Sequence, residues 1–167
     1  MVFLALGVLI TLFLLAQRRE SKGQNMAILQ LGLIIFDLIM DILFVSNNGR
    51  DVDWLYIPSV IFLTVPIGLN TVMAFLIITK ENTNHKFFKW FSQHGKIASI
   101  FTLLAGADID ALTILQSNLA GFGFFQAPFS NDAMSKIFWG ACLSIFTEDI
   151  PQVFIQVRKI SIIFILL

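Results

Sequence analysis

This chain of 167 residues is 57% hydrophobic and only 13% charged, with a mean hydropathy of +0.83, which is the composition of a membrane protein. Its formal net charge of zero gives no reason to expect nucleic-acid binding, and its single cysteine, Cys142, excludes an internal disulfide. We therefore expect one all-α, multi-pass transmembrane domain over residues 1–167, located in a membrane.

Apolar runs long enough to cross about 30 Å of hydrocarbon predict a polytopic bundle of about five helices. They lie at 2–17, 26–45, 54–79, 97–116 and 137–157. The first run also fits the apolar core of a signal peptide, although it lacks a basic leader. A new apolar run at 160–167 predicts a truncated sixth span, so we interpret the chain as a fragment of a longer protein.

The connectors between these runs carry most of the basic residues. If the N-terminus is outside, nine of the eleven bases fall on the inner side, as the positive-inside rule requires. The connector at 85–95 has the pattern of an amphipathic helix, because Lys86, Lys89 and Lys96 share one arc and Trp90 lies among phenylalanines on the other. We expect this helix to lie flat at the interface, with its bases near anionic headgroups.

Acidic residues interrupt the apolar runs. Asp37 and Asp41 are four residues apart and share a helical face, whereas Asp108 and Asp110 can do so only if the helix opens near Gly106. A charge at mid-membrane costs about 2.5 to 3.5 kcal/mol on insertion scales, so each such aspartate must face the bundle, water or a partner.

The last long run carries a polar stripe at intervals of four residues, formed by Ser144, Glu148, Gln152 and Gln156. Asp149 lies beside this stripe, and Pro151 cannot donate a hydrogen bond to the carbonyl of Thr147. We expect helix breaks at Pro151 and at Pro66, and broken helices at membrane depth must face protein or water. We therefore expect the polar side of the fifth run to face protein or water and not lipid.

Together these residues predict a polar path for a substrate or for ions, lined by Asp37, Asp41, Asp108, Glu148, Asp149, Gln152 and Gln156. No base lies within the runs, so the partners of these acids are water, protons, membrane lipids, a missing C-terminal half, a homo-oligomer or another membrane protein supplying bases. We find no nucleophile motif, phosphate loop or compact metal-ligand spacing, and we expect neither an enzyme nor a cofactor or metal site. A hydrogen-bonded packing network is the alternative without a functional site.

Two segments resemble the XK-related membrane proteins, several of which are phospholipid scramblases. The first is "FDLIMDILFV" followed by "NNGRDVDWLYIPSVIFLTVPIGL", with matching residues Asp37, Asp41, Gly49, Trp54 and Pro66. The second is "EDIPQVFIQ", with matching residues Glu148, Pro151, Gln152 and Gln156. The resemblance covers about 26–157 and implies ATP-independent movement of phospholipid between leaflets. A cation or proton transporter or channel, and a noncatalytic membrane partner subunit, are the alternatives that the acids leave open.

Overall fold

The computed structural model describes residues 2–48, 53–151, 153–154 and 157, and within these ranges it contains helices and turns but no strand. The helices are α1 (Val2–Arg19), α2 (Ala27–Asn48), α3 (Asp53–Glu81), α4 (His85–Leu104), α5 (Ala111–Ile114) and α6 (Asn131–Ser144). Two 3-10 turns (Leu119–Gly121 and Gly123–Phe125) precede α6, and a π-helical turn (Ile145–Asp149) follows it. The all-α class is confirmed for this part of the chain. Gly49 and the predicted span 160–167 lie outside the described residues.

Two helical stretches are long and apolar enough to cross a membrane, judged by length and composition. They are Ala27–Ser46 in α2 and Tyr56–Glu81 in α3, with mean hydropathies of 2.3 and 2.2. A signal sequence or the core helix of a soluble protein can pass the same test, so these helices support a membrane location only weakly. The arrangement of five spans stays a prediction.

Helix α3 packs against α2, α4 and α6, and a glycine lies at its contact with α6. A Cβ atom at Gly140 of α6 would lie 2.7 Å from Met73 Cε and 3.3 Å from Ile109 Cγ2. Nearby, Ser144 donates a hydrogen bond of 2.9 Å to the side-chain oxygen of Asn70. Small residues and side-chain hydrogen bonds are the usual means by which apolar helices associate in lipid.

The continuous helix expected over 97–116 is wrong. Helix α4 ends at Leu104, and the chain passes through a turn into the single-turn helix α5. Side chains in and around α5 are completely buried: Ile109, Ala111, Leu112, Ile114 and Leu115. Within the turn, Asp110 N donates to Asp108 Oδ1 at 2.9 Å, and such local side-chain bonds compete with helical hydrogen bonding. Residues 105–130 therefore form a buried, irregular connection between α4 and α6.

The predicted interfacial helix is the first half of α4 and not a separate element. Non-helical backbone angles at His94 (φ −121°, ψ 21°) mark a kink, after which α4 continues to Leu104. Its lysines, Lys86, Lys89 and Lys96, are exposed as expected. The expectation that Trp90 meets the lipid interface is wrong, because Trp90 is buried and its Nε1 donates to Gly123 O at 3.0 Å. Its neighbour Phe87 is fully buried, whereas Phe88 is 56% exposed, so protein covers only part of the apolar arc.

The helix break expected at Pro66 is also wrong. Helix α3 runs without interruption through Pro58 and Pro66, so the lost backbone hydrogen bond does not end it. Prolines are tolerated in long apolar helices when neighbouring groups accommodate the freed carbonyl. Pro66 is fully buried, which gives it packing partners on the side where its ring lies.

Candidate functional site: an acidic groove

Acidic side chains from three parts of the fold line one groove of about 580 Å³. Helix α2, the turn between α4 and α5, and the π-helical turn supply its carboxylates, which are Asp37, Asp41, Asp108, Asp110, Glu148 and Asp149. We call this cavity the acidic groove. Five of the seven residues predicted to line a polar path meet here, and the other two, Gln152 and Gln156, lie outside the described residues.

Helix α2 provides the length of the groove. Lining residues within α2 extend from Leu29 to Asp41, and a helix rises about 1.5 Å per residue, so the groove follows α2 for about 18 Å. Asp37 is exposed, whereas Asp41 is only 6% exposed. Near the other end of the groove, Gln30 Nε2 donates a hydrogen bond of 3.4 Å to Thr113 Oγ1 and so connects α2 to α5. The groove thus runs from an open polar end towards a buried carboxylate.

The turn after α4 brings two acids into the groove that no regular helix would place together. Asp108 and Asp110 both line it, although they are two residues apart. Asp110 precedes α5 but its side chain makes no capping hydrogen bond. Sequence reasoning left Asp110 out of the predicted path, since residues at this spacing diverge on a helix. The signal that would have included it is Gly106, which the sequence offered as a place for the helix to open.

The π-helical turn allows two consecutive acids to face the same cavity. The backbone N–H of Ile150 donates to Ile145 O, five residues back, which widens the helix where Glu148 and Asp149 occur. Pro151 follows immediately, so the predicted irregularity takes the form of a π turn. π turns are common at functional sites.

The predicted polar stripe does not lie on a single surface. Glu148 lines the groove and is 8% exposed, but Ser144, one turn earlier, faces α3 and donates to Asn70. The interval of four residues predicts one face only for a regular α-helix, and the π turn changes the register between these two positions. Ser144 therefore contributes to helix packing.

The charges of the groove are acidic throughout the described part of the chain. None of its lining residues there is lysine, arginine or histidine. Among the described residues, no group of three or more potential metal-ligating side chains is arranged to hold a metal ion. The carboxylates are thus spread along a cavity and do not converge on one point, which suits an extended or bulky cationic group better than a single chelated ion.

A second polar cluster joins the end of α3 to the start of α6. Glu81 is 4% exposed, and its carboxylate accepts hydrogen bonds from Ser130 N at 2.9 Å and Ser130 Oγ at 2.6 Å. On the surface beside it, Asp132 accepts from Lys136 at 2.7 Å and from Lys80 at 2.8 Å. Hydrogen bonding to Lys136 and then to Lys80 lowers the pKa of Asp132 to about 2. This cluster fixes the start of the helix that leads to the π turn.

Helix α6 connects the acidic groove with this second polar cluster. Both depend on α6, which is tied to α3 at its start and carries the groove acids just after its end. No protein-family model, curated protein or solved structure matches this chain.

Proposed function

We propose that this chain belongs to a multi-pass membrane protein that moves phospholipid between leaflets without ATP, with the headgroup travelling along the acidic groove. One observation carries the proposal: acids from α2, the turn after α4 and the π turn line one cavity. Acidic residues in apolar segments are costly, and those that line a shared cavity mark substrate or ion pathways.

A membrane location is supported by the apolar side chains that α2 and α3 leave exposed. The apolar stretches of α2 and α3 are only 11% and 28% buried within the chain, which is low for the core helices of a soluble protein. Their exposed side chains include Leu33, Ile39, Val72 and Phe75. Acyl chains would cover this surface without cost. We propose five membrane crossings with the N-terminus outside and the basic connectors inside, in which the fourth crossing, over 97–116, is the end of α4 followed by irregular chain buried in protein and not one continuous helix.

The dimensions of the groove suit a headgroup whose tails remain in lipid. Its lining residues on α2 extend over about 18 Å, while the hydrocarbon core of a bilayer is about 30 Å thick. Asp37 is exposed, so the groove is open along part of its length. A headgroup inside an open groove can cross most of the hydrocarbon while its acyl chains extend outwards.

The charge of the groove favours the cationic part of a zwitterionic headgroup. Choline and ethanolamine groups gain from several carboxylates placed along a path, and they need no convergent ligand set. The acids that match the XK-related pattern, Asp37, Asp41 and Glu148, all line this groove. Membership of that family, which the sequence suggests by resemblance, stays a proposal.

Transport of cations or protons is the second candidate, because a groove lined by acids and no bases attracts them as well. The two candidates differ in what crosses the membrane. Loss of ion flux without loss of lipid exchange in the same variants would select ion transport.

The test is lipid exchange in liposomes that contain the full chain and a fluorescent phosphatidylcholine, whose outer-leaflet fraction is bleached by a reductant. We expect the double variant Asp37→Asn with Glu148→Gln to exchange lipid about tenfold or more slowly, since a loss of about 1.4 kcal/mol of stabilisation is a factor of ten. Asp132→Asn is the matched control, because it removes an exposed carboxylate outside the groove. Equal rates in all three proteins would refute the proposal.

A further inference from the structure

We infer that Ser21, in the turn after α1, is a phosphorylation site for an arginine-directed serine/threonine kinase. The segment reads Arg18, Arg19, Glu20, Ser21, which places arginines two and three residues before a hydroxyl. Guanidinium groups form strong bidentate bonds with carboxylates, and kinases select substrates by such charge patterns. The inference concerns a different part of the molecule from the acidic groove and does not depend on lipid transport.

The structure leaves the side chains of this segment accessible. Arg18, Arg19 and Ser21 are all exposed, and α1 ends at Arg19. Among the serines in the described ranges, Ser21 is the one that is both exposed and outside a helix. Ser92 is exposed too, but it lies within α4 and its hydroxyl donates to Lys89 O at 2.9 Å.

A kinase binds its substrate as an extended chain, so the last turn of α1 has to open. Besides the helical hydrogen bond from Glu20 N to Ala16 O at 2.9 Å, the buried side chain of Asn25 holds this turn, because its Nδ2 donates to Gln17 Oε1 at 2.9 Å and to Glu20 O at 2.6 Å. Helix ends open locally at much lower cost than the core of a protein. Both arginines are exposed, and opening the turn also separates the Arg19 guanidinium from the ring of Phe122.

The reaction is phosphoryl transfer from ATP. Ser21 Oγ bonds to the γ-phosphorus, the bond from that phosphorus to the bridging β–γ oxygen breaks, and ADP leaves. A carboxylate of the kinase takes the hydroxyl proton. The product carries about −1.5 to −2 charges on a segment that has three bases, Arg18, Arg19 and Lys22, and one acid, Glu20.

The added phosphate would change two contacts of this end of the molecule. The guanidinium carbon of Arg19 lies 4.1 Å from the ring centre of Phe122, and a phosphate two residues away competes for the same guanidinium. The phosphate also cancels the local positive charge that attracts this connector to an anionic leaflet. Because α2 begins at Ala27, six residues after Ser21, both changes occur next to the open end of the acidic groove.

The test uses the full chain in lipid nanodiscs, incubated with ATP and the catalytic subunit of an arginine-directed kinase, with the phosphate mapped by tandem mass spectrometry. We expect phosphate on Ser21, none after Ser21→Ala, and a rate lower by about tenfold or more in the Arg18→Gln, Arg19→Gln double variant. Ser92→Ala is the matched control and should leave the rate unchanged. Absence of phosphate from Ser21, or an unchanged rate in the double arginine variant, would overturn the inference.

Discussion

Replacement of Glu81 tests how the structure holds α6, the helix that leads to the groove acids. The carboxylate of Glu81 is almost completely buried at the end of α3, and it receives two hydrogen bonds from Ser130, the residue that caps α6. Ser130 Oγ also accepts from Ala133 N at 3.2 Å. Glu81→Ala removes both acceptors and leaves the backbone N–H of Ser130 buried without its partner.

The expected loss follows from these two bonds. A hydrogen bond to a charged group contributes about 1.5 to 3 kcal/mol, so the loss of two in Glu81→Ala should lower the free energy of unfolding by about 3 to 6 kcal/mol. Glu81→Gln keeps one oxygen that can accept from Ser130, and we expect about half that loss. Asp132 provides the contrast, because its ion pairs with Lys80 and Lys136 involve exposed side chains, and exposed ion pairs contribute little to stability.

The assay is unfolding of the purified chain in detergent, followed by circular dichroism for Glu81→Ala, Glu81→Gln and Asp132→Asn. We expect the order of destabilisation to be alanine, glutamine and then the Asp132 variant. If Glu81→Ala unfolds no more easily than Asp132→Asn, the buried cap does not hold α6 to α3, and the reasoning is wrong.

Three further predictions use the same assay. Because the pKa of Asp132 is lowered to about 2 in the folded protein, its carboxylate stabilises the fold fully above the unfolded pKa of about 4, and this stabilisation is lost as the pH falls through about 2. The difference in stability between wild type and Asp132→Asn should therefore vanish between about pH 4 and about pH 2. Trp90→Phe should cost about 1 kcal/mol by removing its indole hydrogen bond, and no loss would contradict the burial of its polar edge. Gly140→Val should cost about 1 to 3 kcal/mol through contact with Ile109, whereas Gly68→Val, with open space at its Cβ, should cost much less.

The sequence predicts well where regular helices determine which residues lie together. Asp37 and Asp41 share a face of α2 because they are four residues apart on an uninterrupted helix, and both line the groove. Glu148 and Asp149 also line the groove, although the spacing of four that singles out Glu148 assumes an α-helix and the chain there forms a π turn. Acidic residues within an apolar run indicate by themselves a position that faces a cavity, protein or water.

Predictions failed where tertiary packing decided the outcome. The periodicity of 85–95 separates a basic arc from an apolar arc, but it cannot tell whether Trp90 meets lipid or the loop at Gly123, since both are apolar surroundings. Local rules also overstated the effect of Pro66, because α3 continues through it. Asp110 was missed because its position depends on the turn after α4, which forms in a packed environment.

The central claim is that the acids form one electronegative, water-accessible groove, and labelling of a cysteine at Gln30 tests it most directly. In a Cys142→Ala background, Gln30→Cys would be reacted with two thiosulfonates of similar size, one carrying trimethylammonium and one sulfonate. We expect the cationic reagent to react about tenfold faster, which corresponds to about 1.4 kcal/mol, and the preference to shrink in Asp37→Asn with Asp41→Asn. Equal rates at Gln30→Cys, or faster reaction with the anionic reagent, would contradict the account.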